Sequence, residues 1–167
     1  MPVQVVIGID PGKSGAIAIY RPSIRTLTIH DAPLLANTKG KTETDMHGLF
    51  LALRVIDISV MAVLERASPR PGEGSVGAFS FGRGYGAIQM ALAVHGHQVR
   101  TVTPSIWKRH FGLIFSKGTP KAQIKAASRA LAQQRFPELA DHFKRVKDDG
   151  RAEASLIALY GLEALNA

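Results

Sequence analysis

The chain has 167 residues, enough for one domain of ordinary size with a core of its own. It has no cysteine, which excludes disulfides and thiolate zinc sites, and no apolar run long enough to cross a bilayer. No charged-then-apolar leader opens it, so a soluble cytoplasmic protein without membrane partners is expected, and a formal charge of +8 points to a polyanionic partner. Net charge also serves solubility, so it needs support from particular residues.

In chain order, the first element is the almost unbroken β-branched run Val3-Gln4-Val5-Val6-Ile7-Gly8-Ile9, a strand buried on both faces. It leads into Gly8-Ile9-Asp10-Pro11-Gly12-Lys13-Ser14-Gly15. The Gly12-Lys13-Ser14 triplet fits a phosphate-binding loop only if a glycine stands five positions before Gly12, and Ile7 stands there. A second strand, Ala16-Ile17-Ala18-Ile19-Tyr20, follows the tight turn, so the pair reads as a hairpin rather than strand into helix. Asp10 then has two readings. A charged carboxylate ending a buried strand is costly unless a cation compensates it, yet Asp before Pro-Gly also serves as a turn cap.

Residues 35–41 read as a loop, and a helix is predicted over 43–57 with Thr42 as its cap. Ser59-Val60-Met61-Ala62-Val63-Leu64 reads as another buried strand, and it ends in Glu65, repeating the arrangement at Asp10. Residues 68–77 are too rich in Pro and Gly for regular structure. A helix over 78–95 carries Gly82, Gly84 and Gly86, poor helix formers that suggest close approach of another backbone. Then come a strand over 98–102, a short helix from Pro104 through Trp107, Lys108 and Arg109, and a basic loop and helix over 117–135. Trp107 reads as core, Phe79 and Phe81 as core or as stacking surfaces for unpaired bases, and His95 and His97 as turn residues. His110 and His142 sit in basic surroundings.

The last element starts at Lys147-Asp148-Asp149-Gly150-Arg151-Ala152-Glu153. On a helix, Asp149 and Glu153 share a face, whereas Asp148 diverges from it. Capping and the helix dipole account for an acid in the first turn but not for Glu153 among small and apolar residues. Were Asp10, Glu65 and the Asp149/Glu153 pair to converge, they would repel one another unless they enclosed hard divalent cations. Two Mg²⁺ or Mn²⁺ ions in such a nest are the usual engine of phosphodiester hydrolysis.

The chain resembles RuvC-type Holliday junction resolvases over nearly its full length, and the RuvC-like resolvases of phages and prophages in particular. The motifs are Gly8-Ile9-Asp10-Pro11-Gly12, Val63-Leu64-Glu65, Pro71-Gly72-Glu73-Gly74 through Phe79-Ser80-Phe81-Gly82-Arg83, Thr103-Pro104 with Lys108, Lys121-Ala122-Gln123-Ile124, and Asp149-Gly150-Arg151-Ala152-Glu153-Ala154. The resemblance implies one α/β domain over 1–167 with a ribonuclease H-like fold, a mixed central sheet flanked by helices. It implies a homodimer that nicks opposed strands of a four-way DNA junction. Asp10, Glu65, Asp149 and Glu153 would hold the metal ions, and Lys121 and Lys108 would contact the scissile phosphate. Arg70 and Arg83, with Lys117 and Lys125 from the basic segment, would touch the DNA backbone.

The closing motif departs from the family pattern, which spaces its two site residues three apart and ends in Asp. Asp148 therefore competes as a ligand. Alternative readings are a looser branched or flap DNA endonuclease, a branched-DNA-binding module without catalysis, and an ATP-handling relative of the fold, which would need two such domains.

Overall fold

The hairpin expected at the start of the chain is present in the computed structural model, which describes residues 5–56, 59–66, 68, 72 and 74–165. β1 (Val5–Asp10) and β2 (Ala16–Arg21) pair antiparallel, from Val6 opposite Tyr20 to Asp10 opposite Ala16. Their turn requires glycine twice. Gly12 has φ of 120°, and a Cβ on Gly15 would stand 2.0 Å from the Asp10 carbonyl oxygen. The Gly-Lys-Ser triplet is thus part of a hairpin turn.

Two segments differ from expectation. Residues 26–31 form an edge strand, β3 (Thr26–Asp31), whose Leu27 and Ile29 face inward while their neighbours are exposed or polar. The helix expected over 43–57 is shorter and starts later. Residues up to 44 instead complete a small antiparallel ribbon of β4 (Leu34–Ala36) and β5 (Thr42–Thr44). Its turn is tied by Asn37, whose Oδ1 accepts from the amides of Lys39 and Lys41, both at 2.9 Å. Asp45, not Thr42, caps α1 (Met46–Ala52), accepting from the Gly48 amide at 2.9 Å.

β6 (Val60–Glu65) runs parallel to β1, and β7 (Gln98–Val102) runs parallel to β6, so the main sheet has the order β3-β2-β1-β6-β7. The crossover between β6 and β7 contains α2 (Ser75–Val94). Beyond β7 lie α3 (Pro104–His110), α4 (Lys121–Arg135) and α5 (Asp149–Leu165).

Strand alternation splits the core between two faces. Val5, Ile7, Ile9, Ala62 and Leu64 pack with Leu49, Leu53, Ile88 and Leu92 under α1 and α2. Val6, Met61 and Val63 pack with Trp107, Phe143, Leu156 and Ile157 under α5 and its neighbours. Both faces are covered, which is why β1 and β6 read as continuous apolar runs.

One contact in the second layer has no side chain on the sheet side. A Cβ on Gly8 would stand 2.1 Å from the carbonyl oxygen of Ala154 and 2.3 Å from the amide nitrogen of Ala158. Only a glycine there lets α5 lie backbone to backbone on β1. The start of α5 is seated in the same way: a Cβ on Gly150 would be 2.2 Å from the Ser14 carbonyl oxygen in the hairpin turn.

Candidate active site

Parallel pairing of β1 with β6 places Ile9 opposite Leu64, so the next residues, Asp10 and Glu65, end adjacent strands at one edge of the sheet. The Gly8 contact with Ala154 brings the preceding residue of α5, Glu153, to the same place. Three acids from three elements far apart in sequence are therefore neighbours. Burial, then the negative charges of Glu153 and Glu65, hold the Asp10 carboxyl well above the usual carboxylate range, against the opposing pull of Lys108 and Lys125.

Each neighbouring acid has a defined partner. The buried Trp107 donates its indole N–H to Glu65 Oε2 at 2.8 Å. Lys108 donates Nζ to Glu153 Oε1 at 2.9 Å and lies 5.0 Å from the centroid of the Trp107 ring. Lys125 donates to Asp149 Oδ2 at 2.9 Å, and Arg129 donates to the other oxygen. Asp149 and Glu153 stand one turn apart on α5, and each is engaged by a base.

Asp148 faces elsewhere. It is 1% exposed, and both of its oxygens accept from Arg145, through the backbone amide at 2.8 Å and the guanidinium at 2.9–3.2 Å. Desolvation pushes its carboxyl up, but the Arg145 hydrogen bonds and charge outweigh this and hold it below the usual range. Arg151 next to it is bidentate on Asp31, at 2.6 Å to each oxygen. These contacts lock the entry of α5 to β3.

The basic residues expected on DNA take several positions. Lys117 and Lys121 are exposed, before and at the start of α4, and Arg83 is exposed on α2. Lys108 and Lys125 turn inward onto carboxylates, and Arg70 lies outside the described residues. Beside Asp10 a groove of about 530 Å³ opens between the β4–β5 ribbon and the first half of α2. Its walls are fixed by Lys13, which donates to the Thr42 carbonyl at 2.6 Å, and by Gly84, where a Cβ would stand 3.0 Å from Thr44 Oγ1. Gly84 thus admits a neighbouring side chain, while nothing among the described residues lies within 4 Å of a Cβ built on Gly82 or Gly86.

Sequence reasoning did not anticipate the Trp107 hydrogen bond or the role of Arg129. Trp107 and Glu65 are 42 positions apart, so only the parallel β6–β7 pairing that precedes α3 joins them. Arg129 had a local signal: it lies four residues after Lys125, on the same helix face, so one acid can receive both. The histidines are structural. His95 and His97 donate to the Phe50 and Leu53 carbonyls at the end of α1, at 2.9 and 2.8 Å, and His110 bonds Glu163 at 2.9 Å.

Among the described residues, no group of three His, Cys, Asp or Glu side chains forms a ready-made cage for a metal ion. The donor set at Asp10, Glu65 and Glu153 is nevertheless all carboxylate oxygen, the kind that hard divalent cations take. The raised Asp10 carboxyl marks a local excess of negative charge that such a cation would relieve.

The order β3-β2-β1-β6-β7 with helices on both faces defines a ribonuclease H-like fold of the RuvC type. The model resembles Thermus thermophilus RuvC in complex with a Holliday junction substrate, with a TM-score of 0.50 and 15% identity, covering 93% of this chain and 90% of that one. A structure of Thermus thermophilus RuvC is also similar, with a TM-score of 0.48 and 15% identity, over 94% and 95% of the two chains. No protein-family model and no curated protein matches the sequence. At this identity the likeness establishes the fold. Among the described residues no helix is long and apolar enough to cross a membrane.

Proposed function

We propose that the chain is a metal-dependent, structure-selective endodeoxyribonuclease that resolves four-way DNA junctions by paired nicks as a homodimer. The observation that carries this reading is the meeting of Asp10, Glu65 and Glu153 at one sheet edge, beside Lys108 and Lys125. The motif segments around Phe79 and Arg83 place it nearest the phage and prophage members of that family. Asp10, Glu65 and Glu153, with Asp149 as fourth acid, would hold Mg²⁺ or Mn²⁺, two ions per site. Bound there, the ions supply an activated water and stabilise the leaving oxygen.

The other residues bind and orient. Trp107 fixes the Glu65 carboxylate through its N–H. Lys108 counters the charge of Glu153 and stands ready to counter that of a phosphate in its place. Asp149 exchanges Lys125 and Arg129 for metal, freeing two cations for the DNA backbone. Exposed Lys117 and Lys121 extend that basic surface, and Lys121 contacts the scissile phosphate.

The test is cleavage of labelled four-way, flap and linear duplex DNA with Mg²⁺ or Mn²⁺, comparing wild type with Asp10→Asn. Paired nicks in the four-way junction that vanish in the variant while binding survives are the expected result. Equal cutting of flaps would favour the looser branched-DNA nuclease. One observation favours a second reading: Glu153 and Asp149 are both neutralised internally, as a non-catalytic DNA-binding module would allow. Binding of branched DNA with no cutting by the wild type would decide for that module.

A further inference from the structure

The groove beside Asp10 takes no part in the chemistry above, and its lining combines two features. Phe79, Phe81 and Tyr85 of α2 present aromatic faces to it, and Lys13, Lys41 and Arg83 put cations around it. Phe81 and Tyr85 are nearly parallel, at 22° with centroids 6.2 Å apart. The Phe81 ring reaches the hairpin turn, 3.5 Å from where a Cβ on Gly12 would stand, two residues from Asp10. Phe79 is 70% exposed, so core packing does not explain it.

Aromatic faces that accept any base, set among cations that accept phosphates, are the chemistry of single-stranded nucleic acid binding. A volume of about 530 Å³ suits a nucleotide-sized ligand and excludes a duplex. Because the groove opens at Asp10, a strand lying in it continues directly from a phosphate held at the acids. We infer that the groove receives unpaired nucleotides of the DNA strand adjoining the scissile phosphate, with Phe79 as a stacking platform. The groove then selects substrates whose bases are unpaired at the branch. This inference rests on the reading of Asp10 as part of a DNA-cleaving site.

The experiment is fluorescence anisotropy in EDTA, where nothing is cut, with a blunt duplex and the same duplex carrying a short thymidine tail. Wild type should bind the tailed duplex at least about fivefold more tightly, the low end of the effect of one base–aromatic stack. Phe79→Ala should remove that gain and leave blunt-duplex affinity unchanged, and Phe79→Trp should keep it. The inference is overturned if the tail adds nothing, or if Phe79→Ala weakens both DNAs equally. A protein that gains from the tail but cuts no DNA would sink the nuclease reading and leave the groove assigned. One that cuts junctions but ignores Phe79→Ala would sink the groove alone.

Discussion

At Asp10 a carboxylate is held where burial and two neighbouring acids oppose its charge. Removing that charge should help the fold: Asp10→Asn is expected to melt higher than wild type in EDTA. Added Mg²⁺ should raise the melting temperature of the wild type and not of the variant, a readout independent of cleavage. Trp107→Phe keeps the ring in the core but leaves Glu65 Oε2 without its indole donor. Loss of that bond should cost about 1–3 kcal/mol in denaturant unfolding. Asp31 supplies the pH dependence. The Arg151 hydrogen bond, followed by its charge, holds the Asp31 carboxyl below the usual range. Its contribution is complete above the unfolded pKa of about 3.9 and is lost as pH falls through the lower folded value. Asp31→Asn should therefore lower the melting temperature at pH 7 by a small amount, since Asp31 is exposed, and the difference should close in acid.

Among the elements, those that carry the acids were the legible ones. The runs ending in Asp10 and Glu65 are apolar on both faces, a pattern that marks buried strands, and the four-residue spacing of Asp149 and Glu153 gives them one helix face. What spacing does not contain is which face of α5 meets the sheet. That is decided by Gly8, which in sequence is one more small residue in a strand and in three dimensions is the point where α5 touches β1. Gly8→Ala should cost about 3 kcal/mol or more, because a backbone rather than a movable side chain blocks the new methyl group. The check is chemical denaturation, with metal-induced stabilisation lost alongside. The small ribbon and β3 were missed for a different reason. Their strands are short and mostly exposed, so hydrophobic periodicity is weak, and the Thr42 to Asp45 segment offers two candidate caps of which only Asp45 reaches an amide.

For the molecule as a whole, the charge of +8 sits on a fold whose acids are largely gathered inside and partnered. The cations left at the surface should dominate its salt response. Affinity for branched DNA should fall linearly on a log–log plot against salt, and Lys117→Ala and Lys121→Ala should each reduce the slope by about one phosphate contact. Neither substitution should alter which branched structure is preferred, because phosphate contacts carry no sequence or shape selectivity of their own. The contact between residue 8 and residue 154 also sets an order in time. A chain still emerging from the ribosome can form the hairpin and pair β1 with β6, but it has no Glu153 until α5 has been made and docked. The candidate site is completed last, so unfinished or truncated chains are expected to be inert toward DNA even when their first strands have folded.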